Sequence, residues 1–305
     1  MLTIAYITAR KEPKFYLFAR TLAREFRDSR IDMAGVQILV IDACLILMGL
    51  WSDRFIFAVH PPKPTPWQGP HRLTTKDYFA ASNARNTALA LARGTHVAFV
   101  DDLSVLNRGW LARHLAAMAA GTVLAGTTSK VHGLSADENG NVAYASEHPA
   151  GRDSRLKIWP NGSVCNGGSL FGGTFSVPLD LALKVNGFDE ICDSIGGEDY
   201  DFGTRLERAG GRIVFDPSCG TLEDEDAHHT DDIKVRLDKP WPSADGPYSS
   251  NRLLNLLLRD MGRYLPLGNN FDLAKVRETV LAGGQFPPVE PGMKHWVDGQ
   301  PLSEM

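Results

Sequence analysis

Along the first hundred residues, apolar positions come in short unbroken runs separated by stretches with helical spacing. "LTIAYIT" (residues 2–8), "VQILVID" (36–42), "RFIFAVH" (54–60) and "THVAFVDD" (95–102) show almost no polar alternation, the signature of strands covered on both faces. Between them, residues 14–28 bring Phe15, Phe18, Leu22 and Phe26 to one helical side. "YFAASNARNTALALARG" reads as a helix closed by Gly94, and "GWLARHLAAMAAG" as the next helix. This alternation predicts an α/β fold with a mostly parallel central sheet and flanking helices. Ligands of such sheets gather beyond the carboxyl ends of the strands, here "TARKE", "DAC" and "DDLS".

The pattern then loosens. "PPKPTPWQGP" (61–70) is a loop, and residues 130–166 are polar, Gly-rich and aperiodic, which suits a hairpin or mobile loop. "SLFGGTFSVP" reads as a strand containing Gly172 and Gly173, followed by a short helix, "LDLALKV". An opening helix in "GGEDYDFGTRLERAGG" and a strand in "GRIVFDP" come next. After residue 220 an acid-and-His run and a Pro-rich loop precede helices near 249–263 and 272–282, and the last twenty residues read as a loose tail. Two segments are therefore expected: a domain over 1–220, halved near residue 128, and a C-terminal metal-ligand loop with a helical extension over 221–305.

Composition narrows the function classes. With 305 residues, 43% hydrophobic and 22% charged, the chain can bury a large core, and its net charge of −4 gives no broad pull toward nucleic acid or anionic membrane. Four cysteines without CxxC spacing suggest free thiols in a reducing compartment. The most apolar run, 36–51, contains Asp42 and falls short of the ~20 residues that span a bilayer. Arg10 comes too early for a signal peptide. The expected location is cytoplasmic, with no transmembrane segment.

Three groups could carry chemistry. In the helix after Gly196-Gly197, Asp199 shares a stripe with Phe202, Leu206 and Ala209, so it should point toward the protein body. A carboxylate there must be solvated, paired or used. The competing reading makes Glu198, Asp199 and Asp201 complements of the helix dipole, with Asp201 and Arg205 an ordinary surface pair. Asp101-Asp102 closes an apolar strand, which suits Mg²⁺ or Mn²⁺ held jointly with phosphate, or else caps "LSVLNRGW". His228-His229 lies in "EDEDAHHTDD", either as a ligand for Mn²⁺ or as incidental imidazoles on an acidic loop. Arg85, at a helix start with Asn83 and Asn86, suits a phosphate.

Taken together, "NARNTALALARGTHVAFVDD", "LFGGTFSVPLDLALKVNGFDE" and "GGEDYDFGTRLERAGGRI" resemble the inverting GT-A glycosyltransferases. The first segment looks like the family 2 pattern and the others like the galactosyltransferase-like C-terminal half. The resemblance implies a Rossmann-like sheet and transfer of a sugar from a nucleotide-sugar, a UDP-sugar first, to an acceptor hydroxyl with Mn²⁺ or Mg²⁺. Asp199 then matches the general base and Glu198 holds the acceptor. Thr8, Ala9, Arg10, Asp42, Arg85, Asp101 and Gly173 fall on the donor side, with Asp102 and one of His228 and His229 on the metal. Leu103 departs from the pattern by replacing the usual third carboxylate of the strand-end motif.

The expected acceptor is a saccharide or glycoconjugate, with Trp159 and Trp67 as stacking residues. Hydroxymethylated DNA takes its place if Arg152, Arg155, Lys157, Arg252, Arg259 and Arg263 face the cleft. A nucleotidyltransferase of the same fold, or a non-catalytic nucleotide-sugar binding module, would share many of these motifs. "TARKEPKF" has the basic residues of a nucleotidyltransferase loop but lacks its glycines.

Overall fold

In chain order the elements are β1 (Leu2–Thr8), α1 (Phe15–Ser29), β2 (Val36–Asp42), β3 (Ile56–His60), α2 (Ala81–Leu91), β4 (His96–Asp101), β5 (Ser104–Leu106), α3 (Trp110–Ala120) and β6 (Val123–His132). There follow β7 (Ser135–Ala136), β8 (Val142–Ala143), β9 (Ser146–Glu147), β10 (Ser163–Val164), β11 (Thr174–Pro178), α4 (Leu179–Lys184), α5 (Glu198–Arg208), β12 (Ile213–Asp224) and α6 (Leu273–Leu281). The structure is a computed structural model that describes residues 1–49, 56–65, 80–149, 151–192, 197–228, 264–266, 268–269 and 271–288. The expectations for Trp67, His229, the helix at 249–263 with its three arginines and most of the tail fall outside these residues.

The main sheet runs β3-β2-β1-β4-β11-β6-β12-β10, with β5 on β12 and β9 on β6. Strands β3, β2, β1 and β4 are parallel, as are β6 and β12, whereas β11 lies antiparallel between β4 and β6. Every residue of β1 and β2 is buried, because helices cover both faces. One face packs Ala84 and Ala88 of α2 and Phe202 of α5 against Phe99 of β4, Phe175 of β11 and Phe188. The other packs Tyr6 and Phe18 with Trp110. The rings of Phe188 and Phe202 stack 3.9 Å apart, anchoring α5 to the core.

The antiparallel entry of β11 positions the site. Thr174 pairs with Val100, so the loop before β11 is delivered to the carboxyl end of β4, where Gly173 O accepts from Asp101 N at 3.3 Å.

Several expectations are corrected. Gly172 and Gly173 precede β11 rather than lying within it. Helix α2 ends on Ala92 in extended conformation rather than on Gly94. Gly94 instead approaches the first strand, where an added Cβ would meet Met1 O at 2.6 Å. Strand β12 continues through the start of the acid run to Asp224, because β5 and β6 hold both its edges. Asp201 and Arg205 are not a surface pair: both are buried, and the guanidinium also donates to Val185 O and Gly187 O. The 130–166 stretch contains the β7–β8 hairpin and the return of β9 onto β6. All four cysteines are free. Among the described residues, no helix is long and apolar enough to cross a membrane.

Candidate active site

Gly197 opens α5 in the left-handed region, φ 94°, a conformation with little steric cost only for glycine. The turn it makes sends Glu198 and Asp199 in different directions. Glu198 is buried and accepts from Arg85 Nη1 at 2.9 Å. Asp199 stays half-buried: Oδ2 accepts from Gly172 N at 2.8 Å and Oδ1 from Tyr200 N at 2.7 Å. Burial, reinforced by the Glu198 charge and opposed by Arg85, pushes the Asp199 carboxyl up to about 6. A carboxylate held by two backbone N–H groups with a raised pKa is poised to take a proton near neutral pH.

Arg85 joins the two halves of the site. It is 1% exposed and bonds Glu198 of α5, Asp101 of β4 at 2.8 Å and Gly172 O at 3.3 Å. Burial alone would lower its pKa, but Asp101, Glu198 and Asp199 together hold it above the usual guanidinium range. Its position therefore differs from the expected phosphate contact: the charge is directed at protein carboxylates. Gly172 permits this packing, since a Cβ there would lie 2.5 Å from Arg85 Nη2.

At the end of β4, burial pushes Asp101 up to about 7 against the pull of Arg85. About a third of its side chain is open to solvent, and that opening together with the guanidinium favours the charged form. Asp102 is also raised by burial, opposed by Arg10 and by the Thr8 hydroxyl. Thr8 Oγ1 donates to its Oδ2 at 2.7 Å and Arg10 Nε to its Oδ1 at 3.0 Å. The guanidinium also reaches Ala227 O at 3.3 Å. Leu103 explains the departure at the third motif position. It is fully buried with φ 60°, a turn that costs a bulky residue about 1–2 kcal/mol. Its carbonyl accepts from Asp224 N at 3.0 Å. A side chain at that position points into the core, away from the strand ends.

Glu223, on β12, faces the same acids: its charge raises both Asp101 and Asp102. His228 Nε2 lies 3.0 Å from Glu223 Oε1. Among the described residues, no three His, Cys, Asp or Glu side chains converge as a formed cation cage.

Not every expected residue reaches the cleft. Asp42 is fully buried and accepts from Cys44 N at 2.9 Å and Leu47 N at 2.7 Å, bracing the turn after β2. Ala9 is buried, and Gly173 contributes its carbonyl to β4. Arg155 is 2% exposed and clamped by Asp153, which removes it from any basic surface. Trp159 is half-buried against the core and donates to Ser169 Oγ at 2.9 Å. Sequence reasoning singled out the Gly172-Gly173 pair but not Glu223 or Phe171. The aromatic placed directly before Gly-Gly was the available signal.

Comparison with known proteins agrees with this fold. Residues 161–229 match a family profile described as the N-terminal domain of galactosyltransferase. Beta-1,4-galactosyltransferase 3 of Homo sapiens and of Mus musculus are each 33% identical over 102 residues, covering 30% of this chain and 25% of theirs. The chain thus spans about a quarter of the length of the curated relatives it matches. The solved structure of S. aureus TarS 1-349 in complex with UDP superposes with a TM-score of 0.57 at 15% identity, covering 92% of this chain and 70% of that one. Its complex with UDP-GlcNAc gives 0.56 at 14% over the same shares. The architecture is the GT-A fold.

Proposed function

We propose that the chain is an inverting glycosyltransferase that moves a sugar from a UDP-sugar to an acceptor hydroxyl, with Asp199 as general base. The observation that carries this reading is the Asp199 carboxylate, raised in pKa and fixed on the Gly172 N–H beside the carboxyl end of β4. The galactosyltransferase match covers that segment, and the TarS complexes with UDP and UDP-GlcNAc support a uridine donor. Asp199 takes the acceptor proton as the acceptor oxygen bonds to the anomeric carbon. The carbon–oxygen bond to the diphosphate breaks on the opposite face, and UDP leaves. Arg10, tethered to Asp102, supplies fixed positive charge at the donor end, and the Arg85 pairs hold α5 against β4.

The clustered negative charge at the strand ends is what a divalent cation would offset, although Asp102 is bonded to Arg10 and Thr8 in its place. Carboxylates of Asp101, Asp102 and Glu223 repel one another there, and an imidazole stands beside them. Asp102 and one histidine of the His228-His229 pair would hold Mn²⁺ or Mg²⁺ together with donor oxygens. When bound, the ion neutralises charge on the departing diphosphate. EDTA should stop transfer and Mn²⁺ restore it, and Asp102→Ala should weaken metal-dependent UDP binding in calorimetry. Full activity in EDTA would rule the metal out. A saccharide acceptor is favoured over DNA, because the burial of Arg155 takes one cation from the cluster that a phosphate backbone would require.

A further inference from the structure

Resting on that reading, we infer that Phe171 is an acceptor-side platform that stacks on the apolar face of a pyranose ring. Single exposed apolar side chains are ordinary on protein surfaces, so exposure alone would mean little. Three observations separate Phe171 from that background.

The first is its place in the chain. Its neighbour Gly172 gives the N–H that holds Asp199, and Leu170 on the other side is fully buried. The ring therefore emerges from a fixed backbone one residue from the base's anchor. The second is its backing. Arg155 Cζ lies 4.0 Å from the ring centroid. That guanidinium is itself immobile, bound to Asp153 through Nε and to Ser169 O at 2.7 Å through Nη1. The third is that Phe171, despite this backing, remains 36% exposed as a residue. An aromatic ring with a cation fixed against it and surface left to solvent loses little freedom when a ligand stacks on it, which removes part of the usual cost of binding.

The chemistry of the surroundings selects the ligand. Arg155 is neutralised by Asp153, so the platform offers a π face rather than net charge. A neutral sugar ring, with axial C–H groups on one face and hydroxyls around its rim, matches this better than a phosphate. Stacked on Phe171, it would bring a hydroxyl to Asp199.

The test is saturation-transfer NMR with methyl β-N-acetylglucosaminide and methyl β-galactoside as probes and UDP present. At least one probe should receive saturation at its axial ring protons from the wild-type protein. Phe171→Ala and Phe171→Leu should lose the transfer, and Phe171→Trp should keep it. Phe171→Leu preserves apolar bulk, so its loss separates stacking from packing, and thermal melts check that each variant folds. In turnover assays Phe171→Ala should raise acceptor KM about tenfold or more, the loss of a stacking contact worth roughly 1.4 kcal/mol. No saturation in wild type, or full saturation in Phe171→Leu, overturns the platform. The donor reading is judged separately, by UDP-sugar hydrolysis with the wild-type protein.

Discussion

Asp199→Asn should lower transfer by about 10³-fold, within the 10²–10⁴-fold range of general-base contributions, while leaving donor KM nearly unchanged. Asn fills the same space and its one oxygen can still accept from Gly172 N, so the loop and α5 keep their places, while the Tyr200 N–H loses its acceptor. Stability should change little, the lost bond offsetting the relief of a buried charge. The folded-state pKa of about 6 lies above the ordinary carboxylate value because of burial and Glu198. Protonation of Asp199 therefore favours the fold below about pH 4, and that contribution is lost as pH rises through about 6. The neutral amide avoids the loss. The same shift sets the direction of the wild-type profile: activity should fall roughly tenfold per pH unit below about 6, as the base fills with a proton. Near-normal turnover by folded Asp199→Asn would contradict the assignment.

Arg85→Met should be the most damaging change to stability. It removes the only cation bonded to Glu198 among the described residues, and the one that pairs Asp101 with α5. Leaving buried carboxylates unpaired typically costs about 3–5 kcal/mol. Because a third of Asp101 reaches solvent, about 3 kcal/mol is expected, or a melting shift of roughly 5 °C, below the range for chains of 150–250 residues. Activity should drop as well, since α5 carries the base. An unchanged melting temperature with lost activity would instead mean that Arg85 contacts the donor.

The contrast between these two residues shows what the sequence could reveal. Continuous apolar runs at residues 2–8 and 36–42 can hardly be anything but strands buried on both faces, and they are. The inward side of α5 was equally legible, because Phe202 and Leu206 fix its orientation, and both are fully buried. Pairing was not legible. Nothing local in "TLED" says that β5 and β6 will extend β12 to Asp224. Nor does a charged residue announce its burial: the Asp201–Arg205 pair was legible from its spacing, yet Arg85, Arg155 and Arg205 read as surface or ligand-facing cations and all three are buried, Arg85 on carboxylates from distant parts of the chain. Asp42 likewise shows a local use the sequence did not announce: it takes two N–H groups from the turn that follows it.

The most direct test follows the products of the wild-type protein with a UDP-sugar, a saccharide acceptor and Mn²⁺ by phosphorus and proton NMR. The expected products are UDP in the phosphorus spectrum and a new glycosidic bond whose anomeric configuration is inverted from the donor's. Release of pyrophosphate, retention of configuration, or no turnover across a panel of UDP-sugars would contradict inverting transfer from a UDP-sugar.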